Sequence, residues 1–255
     1  MTVLLACDVG NTNVTAGRFE GARLLRVVKV SLDAVVSADL TAALGLSDVT
    51  LGPDDRVAVS SVNPSAAEAV LRWAREHFTT EVLIAEKNLP VGIPDSVVDR
   101  RRVGVDRLLA ALAAYQSTSC ACVVVDVGSA ITIDAVSGDG VFLGGVILPG
   151  LRMAARALSR DTAFLPEVKL EWPGSLLGRD TVAAIQSGLL WGWVEMVGGL
   201  VEKLKTEVGG SAQVFLTGGD ADLLSPHLSV AHETAPYLAL HGLRLAVDGY
   251  STRGG

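Results

Sequence analysis

Asp8 and Asp126 each end a short apolar run and open a turn of glycine and small polar residues. The first run is Val3-Leu4-Leu5-Ala6-Cys7, followed by Asp8-Val9-Gly10-Asn11-Thr12-Asn13. The second is Cys122-Val123-Val124-Val125, followed by Asp126-Val127-Gly128-Ser129-Ala130. A carboxylate at the end of a buried strand is costly unless it meets a cation, a donor or water. The glycine permits a tight turn that aims backbone N–H groups outward, and the hydroxyl and amide residues add short hydrogen-bonding arms. Such a turn suits a phosphate accompanied by a metal ion. Taken alone, it equally suits a β-turn whose Asp and Asn bond their own backbone. The second copy shifts the balance towards the ligand. A third acid, Asp106 in Gly104-Val105-Asp106-Arg107, lies at the start of an alanine-rich helical stretch. It could cap that helix, or take the proton of an acceptor hydroxyl while Arg107 grips a carboxylate by a two-pronged contact. Asp134 reads as an ordinary turn-facing acid rather than a spare ligand.

The elements that must position these acids repeat as well. After the first turn, Val14 to Phe19 and Leu24 to Val30 read as hairpin strands around Glu20-Gly21. After the second, Ile131 to Val136 and Val141 to Ile147 do the same around Gly138-Asp139-Gly140, and Gly144-Gly145 then breaks the hairpin into a loop. Asp33 to Leu46 reads as a helix, Arg56 to Val62 as a buried strand, Ser65 to Phe78 as an amphipathic helix and Glu81 to Ala85 as a strand. Lys87 to Val103 is the crossing between halves, and its Arg100-Arg101-Arg102 is a solvated patch or faces an anionic substrate. Later come a helix from Leu151 to about Ser159 and a long helix from Gly178-Arg179-Asp180-Thr181 to about Val208, with several glycines inside it. Those small residues suit a dimer face or internal packing. Gln213 to Thr217 is a strand ending in Gly218-Gly219-Asp220, a turn that lets a backbone approach a flat or phosphorylated ligand. A helix from Tyr237 to Asp248 closes the chain. The pattern predicts two α/β halves, 1–103 and 104–255, each a mixed sheet flanked by helices, with a ligand cleft between them. The second half carries the helical insertion and the dimer interface.

Composition narrows the function. Nearly half of the 255 residues are apolar, 49%, which supports a packed core and not a disordered or disulfide-built chain. A net charge of −7 argues against nucleic acid or an anionic membrane as partner. Cys7, Cys120 and Cys122 lie in or beside apolar runs and read as small core residues of a reducing compartment; neither they nor the four histidines have zinc spacing. No signal pattern or membrane-length apolar run is visible, so a soluble, cytoplasmic protein is expected. No Gly-x-x-x-x-Gly-Lys-Ser/Thr segment occurs, which excludes a P-loop; no protein-kinase signature and no Gly-x-Ser-x-Gly elbow occur either.

Six segments in order nevertheless have a family likeness. Asp8-Val9-Gly10-Asn11-Thr12, Gly104-Val105-Asp106-Arg107, Asp126-Val127-Gly128-Ser129-Ala130-Ile131-Thr132, Gly144-Gly145-Val146-Ile147-Leu148-Pro149-Gly150, Gly178-Arg179-Asp180-Thr181 and Leu216-Thr217-Gly218-Gly219-Asp220 resemble type III pantothenate kinases in order and approximate spacing, from Leu4 to about Ala246. The resemblance implies a duplicated actin-like ATPase (ribonuclease H-like) fold of the sugar kinase and Hsp70 superfamily. It also implies ATP-dependent phosphorylation of pantothenate, the first step of coenzyme A biosynthesis, with Mg²⁺ and a monovalent cation (K⁺ or NH₄⁺) in a homodimer. Carried over by position, the ATP and phosphate residues are Asp8, Val9, Gly10, Asn11, Thr12, Asn13, Val14, Thr15, Gly128, Ser129, Thr217, Gly218 and Gly219. Asp8 would serve Mg²⁺ and Asp126 the monovalent cation. Gly104, Val105, Asp106, Arg107 and Thr181 would hold pantothenate, Thr181 across the dimer interface, with Asp106 as general base. The chain departs from the family pattern at Ser129 and Ile131, where Thr is usual, and at Val97 and Arg100, where a Tyr and a Pro are usual. Those changes define the alternative: a non-catalytic member acting as an accessory regulator, or a kinase of another small hydroxy acid.

Overall fold

The computed structural model describes residues 2–37, 52, 55–78 and 80–251. The chain forms two compact units: Met1–Pro94, Val98–Gln116 and Leu238–Gly255 in the first, Asp95–Val97 and Ser117–Tyr237 in the second.

In the first unit, β1 (Val3–Val9), β2 (Asn13–Glu20) and β3 (Arg23–Ser31) run as an antiparallel meander. β4 (Arg56–Ser61) and β5 (Val82–Ile84) then add in parallel, giving the order β3-β2-β1-β4-β5. The alternation along β1 decides what each face meets. Leu5, Cys7 and Val9 point at α2 (Pro64–His77), whose Val70, Leu71, Trp73 and Ala74 complete one core. Each such side chain contributes roughly 1.5–3 kcal/mol when fully buried. Asn63 starts α2 by accepting from the Ala66 N–H, and Pro64 fits the first turn, where an N–H has no helical partner. The other face, with Ala6 and Asp8, meets α7 (Leu238–Ser251), where Gly17 leaves room for Leu240. α3 (Val105–Thr118) lies against α7 so closely that a Cβ on Gly242 would sit 2.0 Å from the Leu109 carbonyl oxygen. These contacts put residues 98–116 and 238–255 with the first sheet, so the division is not the sequential cut at 103/104. The short α1 (Leu32–Ser37) opens the helix expected from Asp33; its continuation to Leu46 lies outside the described residues.

The second unit repeats the plan. β6 (Cys122–Val127), β7 (Ala130–Val136) and β8 (Phe142–Pro149) form the meander; β9 (Gln213–Thr217) and β10 (Glu233–Thr234) add in parallel, giving β8-β7-β6-β9-β10. The same order and the same strand senses occur in both sheets. Val123, Val125, Val127, Ile131, Val214 and Leu216 form a core with Leu190, Val194 and Val197 of α5 (Thr181–Glu207) and Leu224 of α6 (Ala221–Leu224). α4 (Leu151–Arg160) packs its Ala155 with Ile185 and Leu189 of α5.

Two expectations fail here. β8 continues through Gly144-Gly145 instead of breaking into a loop, because Gly145 faces Asp134, where a Cβ would lie 2.0 Å from the Ile133 carbonyl oxygen and 2.6 Å from Asp134 Oδ1. Asp134 is accordingly no turn residue: it is 1% exposed, in mid-β7, opposite Val124 and Gly145. Cys7 and Cys122 are buried, which pushes both thiols up to about 12, whereas Cys120 is exposed and not a core residue. Among the described residues no helix is long and apolar enough to cross a membrane.

Candidate active site

Asp8 is the penultimate residue of β1, level with Thr15 on one side and Ser60 on the other. Ser60 is fully buried and donates its hydroxyl to Asp8 Oδ1 at 2.8 Å. Beyond Asp8 the chain turns tightly: the Gly10 N–H donates to the Asn13 carbonyl at 3.0 Å, and Val62 N–H donates to the Val9 carbonyl at 3.1 Å. The glycine donor thus closes the turn itself and is not aimed outward. Asn11 and Thr12 stand exposed at the tip, while Val9 and Val14 bury their side chains and offer a ligand only backbone.

Asp106 belongs to the same unit, in the first turn of α3. Gly104 begins that turn, its carbonyl accepting from the Arg107 and Leu108 N–H groups. A Cβ on Gly104 would come within 2.4 Å of Asp106 Oδ1, so the glycine makes room for the carboxylate. Asp106 Oδ1 accepts from the Arg107 backbone N–H at 2.9 Å, so it does serve the helix start as an Asp commonly does. Its acidity shows a second side. Burial holds the Asp106 carboxyl above the ordinary range, against the opposing pull of the Arg107 N–H and guanidinium. Asp8 is pushed up to about 7, first by burial and then by the charge of Asp106, with the Ser60 hydroxyl working the other way. Two half-buried carboxylates that raise one another's proton affinity form a place where a cation is favoured.

The second unit builds the corresponding corner around Asp126. Asp126 is level with Thr132 of β7 and Thr217 of β9, so hydroxyl residues flank it as they flank Asp8. The Gly128 N–H donates to the Ala130 carbonyl at 3.0 Å and closes this turn too, leaving Ser129 exposed. Gly150 packs on it: a Cβ there would sit 2.4 Å from the Ser129 carbonyl oxygen. Gly218, at φ +101, lies against Asp126 Oδ1 and the Val127 backbone, where a Cβ would come within 2.4–2.5 Å. Asp220 closes the group by accepting two prongs from Arg152 of α4, the shorter at 2.9 Å. Ile131 turns into the apolar core, away from the Asp126 face, so its lost hydroxyl falls on the wrong side of the strand to change that corner. Thr181 is exposed at the first residue of α5, beside the capping Asp180, and Gly178 folds onto the Ala184 backbone next to it.

Sequence reasoning missed Ser60, Glu86, Arg152 and Asp220. Ser60 had a signal, a hydroxyl ending a buried parallel strand; the two ion pairs join residues 14 and 68 apart and had none. Arg100 of the basic triplet is paired with Glu86, and Arg101 with its neighbour Asp99. A cavity of about 380 Å³ in the first unit, walled by Gly92, Leu112, Gln116, Leu245 and Tyr250, contains none of the residues singled out above.

Comparison with known proteins agrees with this architecture. A model of the type III pantothenate kinase family matches residues 4–203. A type III pantothenate kinase of Anaeromyxobacter sp. (strain K) is 36% identical over 251 residues, 95% of this chain and 98% of that one. Among solved structures, a Campylobacter jejuni protein assigned to the Baf transcriptional-activator family superposes with a TM-score of 0.63 at 21% identity, covering 97% of this chain and 99% of that one. An archaeal actin homolog, Ta0583, reaches 0.51 at 13% identity, covering 97% and 100%. The fold is the actin-like α/β fold, duplicated. By a family model that spans most of its length and a relative aligned almost end to end, the chain belongs to the type III pantothenate kinases.

Proposed function

We propose that this chain transfers a phosphoryl group from ATP to the primary hydroxyl of pantothenate, the first step of coenzyme A biosynthesis. The observation that carries the reading is the Asp8–Asp106 pair, two half-buried carboxylates in one unit of a chain belonging to a kinase family. Phosphoryl transfer asks for cations on the phosphate tail and a base beside the acceptor hydroxyl. Asp106, held above the ordinary carboxylate range, is the base and takes the hydroxyl proton. Gly104, Val105 and Arg107 hold the acceptor, with Arg107 on its carboxylate. Asp8 would hold Mg²⁺, which when bound supplies charge neutralisation on the phosphates. The donor set fits, since Mg²⁺ is usually held by one or two carboxylates plus phosphate and water oxygens. Asp126 with its flanking threonines offers the oxygen ligands a K⁺ or NH₄⁺ would take. The turns at 10–15, 128–129 and 217–219 would meet the nucleotide through backbone and short hydroxyls.

An ADP-release assay with pantothenate, Mg²⁺ and K⁺ tests the reading. Turnover is expected, and Asp106→Asn is expected to lower it by about 10²–10⁴-fold while the fold is kept. A second reading is favoured by Arg100, whose side chain is occupied by Glu86 and the Ile93 carbonyl within the segment that departs from the family pattern. It is a member that binds nucleotide without turning it over, or one that takes another hydroxy acid. Calorimetry showing ATP binding without ADP release decides for the first of these, and a panel of hydroxy acids for the second.

A further inference from the structure

Glu86 stands at φ 58, a left-handed conformation that costs a residue with a Cβ free energy unless its surroundings hold it there. What holds it is its own carboxylate. Oε1 accepts from the Val91 N–H at 3.0 Å and from Arg100 Nη2 at 3.0 Å, and Oε2 accepts from Arg100 Nε at 3.0 Å. Arg100 spends its remaining prong, Nη1, on the Ile93 carbonyl at 2.7 Å. One fork therefore ties the loop after β5, from Glu86 to Ile93, to the first residue of the 3₁₀ turn Arg100–Arg102. That turn ends at Val103, whose N–H returns to the Arg100 carbonyl, and Gly104 with the Asp106 turn of α3 follows at once. The neighbouring arginine is no substitute. Arg101 is exposed and pairs with Asp99 two residues away, so it fixes nothing distant.

We propose that Glu86 and Arg100 are positioning residues for the acceptor segment Gly104–Arg107: they fix the path of the chain into α3, and so the placement of the Asp106 carboxylate, without touching the acceptor. The proposal rests on the reading of Gly104–Arg107 as the acceptor-holding segment. The geometry of a planar fork is what does the positioning, and a lysine cannot reproduce it, since it offers a point charge in place of two parallel donors. A small displacement of a base relative to a bound hydroxyl lowers the rate strongly, and the nucleotide side depends on other residues of the site.

The test uses the full chain with Arg100→Ala, Arg100→Lys and Glu86→Gln. Steady-state kinetics is varied in pantothenate and in ATP separately, and amide hydrogen exchange is measured across residues 86–108. Expected are a fall of about tenfold or more in kcat/KM for pantothenate in Arg100→Ala and Glu86→Gln, a KM for ATP within about twofold of wild type, and partial recovery in Arg100→Lys. Faster exchange confined to 86–93 and 99–108 accompanies it. Equal losses towards both substrates overturn the proposal, and so does a lowered melting temperature with unchanged kinetics. If wild type ignores pantothenate, the acceptor reading fails on its own. The exchange experiment then still decides: faster exchange over 99–108 supports the clamp, and unchanged exchange there overturns it.

Discussion

At the scale of single residues, Asp8 carries a conflict between stability and use. Its folded-state acidity lies at about 7, against 3.8 for the free side chain. Between those values the native state binds more protons than the unfolded chain, so stability falls as pH rises from about 4 to about 7 and stays low above that. Replacing the carboxylate by its isosteric amide removes the penalty. Asp8→Asn is therefore expected to raise the stability of the ligand-free chain at pH 8 by about 2–4 kcal/mol while the two proteins converge near pH 4. Thermal unfolding across that range measures it, and a variant less stable than wild type at pH 8 contradicts it. Added Mg²⁺ should raise the melting temperature of wild type and leave the variant unmoved, because a ligand that binds only the native state stabilises it. Asp8 was legible in the sequence because a charge ending an apolar run is costly and stands out. Ser60, which relieves part of that cost, was only half legible: the residue type was visible, but its pairing with Asp8 is a matter of parallel register between strands 52 residues apart.

Elements fared unevenly for the same reason, the reach of local signals. Both meanders were readable, since alternation of apolar and polar residues and Gly-containing turns are properties of a few consecutive positions. β8 was not, because Gly144-Gly145 in sequence marks a break, whereas in the sheet the missing side chain is what lets the strand pass Asp134. A glycine reports its own permissiveness and not what lies opposite. Gly218 shows the contrast with a glycine that meets nothing. Gly218 sits at φ +101 against Asp126 and Val127, whereas Gly188 lies within α5 with no atom within 4 Å of a built Cβ. Gly218→Ala is expected to cost about 2–4 kcal/mol and to displace the Asp126 turn. Gly188→Ala should gain up to about 1 kcal/mol in the isolated chain from helix propensity alone. Denaturant unfolding of the two variants checks both signs, and equal effects would remove the distinction.

For the whole molecule, the duplication was visible because each copy is built from the same local signals, and the two sheets do share one strand order. Which sheet a helix joins was not visible. α3 and α7 are alanine- and leucine-rich on most sides, and only the close approach of Gly242 to Leu109, with residues more than 130 positions apart, assigns them to the first unit. Assembly is the remaining question at this scale. Phe164 is 92% exposed, Leu177 80%, Leu176 66% and Ile147 60%, all within the second unit and all on or beside the elements that carry Thr181. Large apolar side chains scattered singly need no explanation, but this many in one unit are the sign of a covered surface. Two copies of the chain meeting there would bring each Thr181 next to its partner, which the homodimer proposal requires. A stable dimer buries at least about 1,000 Å² in total, and its centre depends on a few large apolar anchors. Phe164→Asp and Leu177→Asp together should cost the single chain little, since both side chains lie in solvent there. They should nevertheless halve the mass seen by sedimentation and remove turnover, with the far-ultraviolet spectrum unchanged. A wild-type chain that sediments at one chain's mass, or a double variant that loses turnover while still paired, would count against this face as the dimer contact.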